Sequence, residues 1–367
     1  MIVGVGKRIN SSNTSPSAYF DLELQENGYK VLLYKVIVPI LFGAVTIVGF
    51  TGNALVLYVI STKLQLQTVT NLLLSNLAVA DLVFVCVVPP FTAYQVGTRS
   101  WPFGDAACRG MHYLVNVTAY VTIYTLVLIA VTRCTTIMCG FGATACTCTR
   151  RNVLAAIAGI WILMLAANVP ILASYSVRVG YSGRSECDVL DNQTGQRIFM
   201  TFFCFAYILP LAGIGVLSLC MLHHINPQRT ETNANVKSKS TSRMHRVSKL
   251  LMLVIVIFAI SWLPINIHLL ALYFGFLTSN RIYDAVSVLW NVLAYSNSCI
   301  NPFIYNYTSK DFRDAFKKIL PTICTRATEN ETTNDPLNLA AQCQGGTLPT
   351  LLVMKSINDH QECTAHC

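Results

Sequence analysis

The chain has 367 residues, 53% of them hydrophobic and only 12% charged, with a formal net charge of +9. Together with a mean hydropathy of +0.51, this excludes an ordinary soluble domain and marks a polytopic membrane protein. The surplus Lys and Arg lie mostly between apolar runs on one side of the bilayer, where they suit anionic lipid and a cytosolic partner and call for no nucleic acid.

Residues 1–34 contain no basic segment followed by an apolar run, so no cleaved signal peptide is expected and the first span serves as the export signal. The sequons at Asn10 and Asn13 make this an outer, glycosylated tail. Seven runs, roughly 36–62, 68–96, 110–132, 152–176, 198–222, 250–276 and 285–308, can each cross a ~30 Å hydrocarbon core at ~1.5 Å per residue. The expected fold is therefore an all-α bundle of seven membrane-spanning helices over 35–309. Lys63, Arg150, Arg151, the basic run from Arg229 to Lys249, and Lys310 to Lys318 define the cytoplasmic face; Asp105, Glu186, Asp188, Asp191 and Asp284 lie opposite. Of fourteen cysteines, most fall in spans or cytoplasmic loops and stay reduced; Cys108 and Cys187 lie in outer loops and are expected to pair.

In span one, Gly52-Asn53 puts an amide at mid-helix, with helix packing as the plain reading of the glycine. Span two holds Asp81, the only acid within any span, which costs about 2.5–3.5 kcal/mol at the bilayer centre. Asn53, Thr122, Asn297, Ser298 and Asn301 are its expected neighbours, a set of oxygens and amides that could hold a sodium ion or a proton, or simply satisfy one another. Span three contains the sequon Asn116-Val117-Thr118, which membrane burial should leave unmodified. Arg133 follows Cys108 by twenty-five residues, ~38 Å of helix, and so reaches the cytoplasmic mouth. Beyond it, Cys139, Cys146 and Cys148 lack the spacing of a zinc site.

The loop before span five carries a third sequon at Asn192, and the span itself contains Pro210. The basic end of the next loop, Arg243 to Lys249, should extend span six into the cytosol; a calmodulin-type site is the competing reading. Span seven holds amides, hydroxyls and Pro302, which frees a carbonyl that a neighbouring Asn can take; this makes the segment a hinge. Phe312, Phe316, Ile319 and Leu320 then share one helical face, giving an amphipathic surface helix over 310–320. Cys324 is a palmitoylation candidate. The polar tail, 321–367, is expected to be disordered, with Thr322, Thr325, Thr328, Thr332 and Thr333 as phosphorylation candidates.

Gly52-Asn53, Leu77-Ala78-(x)2-Asp81, Trp101-Pro102-Phe103-Gly104 followed by Cys108, Trp161, Pro210, Trp262-Leu263-Pro264 and Asn301-Pro302-(x)2-Tyr305 occur in order on the expected spans. In this the chain resembles rhodopsin-like G-protein-coupled receptors, from about Lys35 to Leu320. The resemblance implies a packing switch of Ile123, Pro210, Phe258, Trp262 and Pro264, a span-seven element of Pro302 and Tyr305, Arg133 as the G-protein contact, and arrestin as a second cytosolic partner. Three positions depart from the pattern. Thr132 replaces the acid that pairs with the arginine, Cys134 replaces an aromatic, and Ser218 stands where a tyrosine is usual.

No Lys lies in span seven to carry retinal. No HExxH motif or nucleophile–base pair points to an enzyme, and no inverted repeat points to a transporter. Val115 stands where an amine receptor of this family has its acid. Tyr94, Trp101, Tyr113, Tyr175, Glu186, Asp188, Asp191, His268, Tyr273, Asp284 and Trp290 instead suit a peptide. Val87 to Ala93, Thr118 to Leu128, Ser176-Val177-Arg178 and Ala294 to Pro302 are similar to type-A allatostatin receptors of invertebrates, relatives of galanin receptors. That implies an amidated neuropeptide and a G protein of the inhibitory class. A receptor for another peptide class, or a divergent receptor with coupling altered around Thr132-Arg133-Cys134, remains the alternative.

Overall fold

Each of the seven apolar runs is helical over most of its length. Span one opens as a π-helix, Val31–Ile37, and continues as Val38–Thr62; span two is Val69–Thr98 and span three Gly104–Cys139. Span four is Arg150–Ala167 followed by Val169–Ser174, and span five runs from Asn192–Phe202 through a π-helical segment, Phe203–Ile208, to Leu209–His224. Ala234–Tyr273 is span six and Arg281–Thr308 span seven. This computed structural model describes residues 31–62, 68–98, 100–139, 149–179, 184–224, 234–276, 281–308 and 312–316, with side chains except at 31, 139, 222, 224, 234–251, 281–285 and 308.

Six of these helices are long and apolar enough to cross a membrane. Span seven is more polar, and it turns Asn291, Asn297, Ser298 and Asn301 inward to burial, where other helices rather than lipid meet them. Ile47, Ile162, Leu163, Leu219 and Ile267 face outward, as side chains against acyl chains do. Residues through Arg313 form one compact unit; of the unit starting at Asp314, residues 314–316 are described and are helical.

Most of the helices outrun their hydropathic limits because lipid fixes only the apolar stretch, whereas the backbone ladder continues into water. Cys108, expected in a loop, therefore lies on the second turn of span three. Asn192, also expected in a loop, is the exposed first residue of span five; Asp191 caps it by accepting the Thr194 N–H at 2.8 Å. Span one begins within the expected tail, and span six begins at Ala234, well before Arg243. The amphipathic helix expected over 310–320 is described, and helical, over 312–316. Asn10, Asn13, Cys146, Cys148, Cys324 and the threonines of the tail lie outside the described residues.

The all-α expectation needs one amendment. Between spans four and five, β1 (Tyr175–Val179) pairs antiparallel with β2 (Ser185–Val189), placing Val177 opposite Cys187. The sequence reading assigned residues 175 and 176 to span four, but Tyr-Ser-Val-Arg-Val alternates with period two and carries β-branched residues, which favour a strand.

Two prolines widen their helices. Pro39 and Pro210 each stand two residues beyond a π-helical segment. A proline has no N–H and its ring crowds the carbonyl four residues back, so the ladder lengthens by one residue; the Leu209 N–H accordingly reaches Cys204 O. Glycines do the opposite work by drawing helices together. A Cβ on Gly49 would lie 2.8 Å from Val85 Cγ1, and one on Gly52 would lie 3.0 Å from Pro302 Cγ. Span one thus sits directly against spans two and seven.

Candidate functional site

The hairpin is fastened over one end of the bundle. A disulfide joins Cys108 of span three to Cys187 of β2, as expected. Asp105 accepts the Val177 N–H at 3.0 Å, Gln95 Nε2 donates to Cys187 O at 2.9 Å, and the Trp101 N–H reaches Ser185 O at 2.7 Å. Beneath it lies a cavity of about 30 Å³. Span two supplies Thr92 and Gln95, span three Met111, His112 and Val115, spans six and seven Tyr273 and Tyr295, and the hairpin Tyr175, Cys187, Asp188 and Val189. Burial pushes the Asp188 carboxyl above the usual range, against the opposing pull of the Val189 N–H and the Arg178 charge.

Of the residues expected to bind ligand, Tyr175, Asp188 and Tyr273 line this cavity, and the other described side chains do not. Tyr94 is exposed and packs edge-on against Phe103. Trp101 is fully buried among Phe91, Phe103 and the disulfide, with Nε1 donating to Gly104 O at 2.9 Å, so it holds the hairpin's footing. Tyr113 turns to span four, where its hydroxyl donates to Leu165 O at 2.8 Å. Glu186 stands opposite Arg178 in the hairpin. His268 is buried in span six and Trp290 packs against the main core, both outside the lining. The Asp284 side chain lies outside the described residues. Sequence reasoning missed Thr92, Gln95, Met111 and His112 as lining. The available signal was spacing: 92 with 95, and 111 or 112 with 115, fall on one helical face.

Deeper in the bundle, Asp81 is fully buried and accepts hydrogen bonds from Asn301 Nδ2, at 2.9 Å, and from Ser298. Pro302 cannot donate to the Ser298 carbonyl one turn back, and Asn53 Nδ2 does so instead at 2.8 Å, while also reaching Gly49 O at 2.9 Å. Thr122 and Asn297 are buried but make no hydrogen bond to Asp81 among the described residues. Asn53 Oδ1 and the Tyr305 hydroxyl are buried without partners there. No group of three or more His, Cys, Asp or Glu among the described residues could hold a metal ion. The donor set at Asp81 is one carboxylate with neutral oxygens, which fits a hard monovalent cation and nothing softer.

A second polar chain ties three spans: Trp161 Nε1 donates to Asn76 Oδ1 and Asn76 Nδ2 to Thr125 Oγ1, each at 2.8 Å. The residues of the expected packing switch sit inside the bundle or on its span-six helix. The rings of Phe258 and Trp262 lie 5.9 Å apart, and Ile123 and Pro210 are buried. Pro264 lies inside the span-six helix, where Asn266 Nδ2 donates to Trp262 O at 2.8 Å. Phe202, which the sequence reading did not single out, bridges Trp262 to Tyr120 at 5.6 and 5.5 Å.

Residues 52–305 match the family model described as the 7 transmembrane receptor (rhodopsin family). The chain belongs to the rhodopsin family of seven-transmembrane receptors. It is 37% identical to the allatostatin-A receptor of Bombyx mori over 80% of this chain and 82% of that one. It is 32% identical to galanin receptor type 2 of Mus musculus, over 86% and 84% of the two chains. With the galanin-like G-protein coupled receptor npr-9 of Caenorhabditis elegans it shares 28% identity over 86% of this chain. As a rhodopsin-family receptor it is a multi-pass plasma-membrane protein and not an enzyme.

At the end of this receptor opposite the hairpin, Arg133 is half-buried and its guanidinium donates to the Thr70 hydroxyl of span two. Thr132, in the place of the expected acid, is buried, and its hydroxyl is turned back to Ile129 O at 2.9 Å. Cys134 packs with Ile137, Met221 and Leu217. Ser218 is likewise spent inside the bundle, donating to Ile214 O at 2.7 Å. The polar contact for Arg133 thus comes from span two rather than from its own helix, a partner that local sequence around the arginine could not name.

Proposed function

We propose that this receptor binds an amidated neuropeptide of the allatostatin-A or galanin class and passes the signal to a heterotrimeric G protein of the inhibitory class. The observation that carries the reading is the 37% identity with an allatostatin-A receptor across four fifths of both chains. The cavity supports it, being walled by aromatics with one carboxylate on the hairpin and Val115, not an acid, on span three.

In this reading the hairpin faces outside with the amino terminus, and Arg133 faces the cytosol. Asn10, Asn13 and Asn192 carry glycans, Cys324 carries a palmitoyl chain, and the threonines of the tail, once phosphorylated, recruit arrestin. Asp81, Ser298, Asn301 and Asn53 hold a sodium ion in the resting receptor. That ion would neutralise the buried carboxylate, and the orphaned Asn53 oxygen favours such a guest. The second reading, altered coupling, is favoured by the Thr70 contact, which holds Arg133 through an uncharged partner.

The test is to express the chain at a cell surface and apply amidated allatostatin-A peptides and galanin while recording G-protein activation and cyclic-nucleotide level. Saturable binding with a fall in cyclic nucleotide is expected. Absence of both binding and response to either class, with the receptor at the surface, overturns the proposal.

A further inference from the structure

His112 lines the cavity under the hairpin and carries an unmet hydrogen-bonding atom. The side chain is buried, at 8% exposure, and Nε2 has no partner among the described residues. Its ring is fixed in place: it stacks on Tyr175 of β1 with centroids 3.8 Å apart and planes 10° from parallel. A buried polar atom without a partner is costly, and a fold that keeps one on a ring held rigidly beside a cavity has the bond supplied from elsewhere.

The other polar groups around the cavity indicate what supplies it. Gln95 lines the cavity and spends its NH2 on Cys187 O. Asp188 accepts the Val189 N–H at 2.7 Å on one oxygen, and its other oxygen has no hydrogen bond among the described residues. Thr92, Tyr175, Tyr273 and Tyr295 also line the cavity, and their hydroxyls can donate or accept, so the one carboxylate sets the preference: it favours a donor and repels an anionic group. The volume, about 30 Å³, holds little more than a water molecule or the tip of a larger ligand.

We infer that His112 is the specificity-determining contact of this pocket. Its Nε2, with the ring proton on Nδ1, accepts a hydrogen bond from an N–H group at the tip of the bound peptide, beside the Asp188 carboxylate. The inference rests on the peptide reading above and names the chemistry of that site: an N–H donor enters, and a tip lacking one is excluded.

The experiment uses the full-length receptor and amidated allatostatin-A peptide. His112→Phe keeps the ring and its stack on Tyr175 but removes the acceptor; His112→Gln restores an acceptor. Affinity is expected to fall about 10- to 100-fold in the Phe variant and to recover most of the way in the Gln variant, with maximal response unchanged in both. A scan of the peptide by single N-methylation should find one position that weakens binding to the natural receptor by a similar factor and has no effect on His112→Phe. Natural affinity in His112→Phe, equal loss in both variants, or a scan on the natural receptor with no sensitive position would each overturn the inference, the first by pointing to a resident water as the partner. The scan needs no variant, so a misfolded substitution does not shelter the claim. Failure of the natural receptor to bind any peptide overturns the wider peptide reading, and is seen before any variant is compared.

Discussion

Asn53 of span one donates its amide to the carbonyl of Ser298 in span seven at 2.8 Å, across 245 residues of sequence. The carbonyl needs a partner because Pro302 lacks the N–H that would otherwise meet it. Asn53→Leu should strand that carbonyl in the bundle and cost about 1–2 kcal/mol, read as a lower unfolding temperature of the purified receptor. Pro302→Ala restores the helical donor, so Asn53→Leu should cost less in that background. Additive losses in this double-mutant cycle would show that the two residues act independently.

Close approach of the same helices makes a second prediction. With Val85 Cγ1 2.8 Å from where a Gly49 Cβ would stand, Gly49→Val must push span one away from span two, at about 1–3 kcal/mol for overpacking. Gly43 has nothing within 4 Å of its added Cβ, so Gly43→Val should leave the unfolding temperature nearly unchanged. Equal effects at the two glycines would count against the packing described.

These two cases show where sequence reading succeeds. Seven spans, the Cys108–Cys187 bond and the partnership of Asp81 with Ser298 and Asn301 were legible because lipid imposes length and because polar groups at membrane depth must find one another. The ligand pocket was less so. Trp101 and Tyr113 are aromatics near the correct end of the bundle, yet their polar atoms are committed to Gly104 and Leu165. Helix rotation, which sequence leaves undetermined, decides between wall and scaffold. The hairpin escaped notice because Tyr175 and Ser176 continue an apolar run, and hydropathy does not distinguish a strand from a helix end.

Arg133 offers a test of coupling. Its Thr70 contact is a hydrogen bond to a neutral hydroxyl, weaker than the ion pair that an adjacent acid would make. Thr70→Ala should raise ligand-free nucleotide exchange on the G protein severalfold, and Thr132→Asp should lower it below the natural level. Unchanged or raised basal exchange in Thr132→Asp would refute the idea.

Acidity bears on the pocket through Asp188. Its carboxyl is raised in the folded receptor by burial, so the ionised form is a cost to folding that is present above the folded value and relieved as pH falls through it. Asp188→Asn, which keeps an oxygen for the Val189 N–H, should therefore raise the unfolding temperature at pH 7. The advantage should shrink as the pH is lowered toward 4 and the natural carboxyl takes up its proton. Melting curves of both proteins across that range check the sign; an advantage that grows on acidification is incompatible with desolvation as the dominant influence.

The last prediction concerns how the pocket reaches the middle of span six by way of span five. Tyr273 of the cavity stacks on Phe199 at 5.5 Å, Phe199 on Phe203 at 5.8 Å and Phe203 on Tyr207 at 5.9 Å. The Tyr207 hydroxyl then donates to Ala259 O at 2.8 Å, one residue from Phe258 of the switch. Positions 199, 203 and 207 recur every four residues, and the π-helical segment before Pro210 keeps the last two in line. A rigid ladder of rings transmits displacement better than flexible side chains, so pressure at Tyr273 arrives at the span-six backbone at Ala259. Tyr207→Phe leaves every ring in place and cuts only the final bond. Peptide affinity should then stay within about twofold, while maximal G-protein activation falls by roughly half or more, the scale expected when one hydrogen bond of about 1 kcal/mol biases the active state. A parallel loss of affinity and response would instead make Tyr207 a part of the pocket's support, and an unchanged response would remove the ladder from the relay.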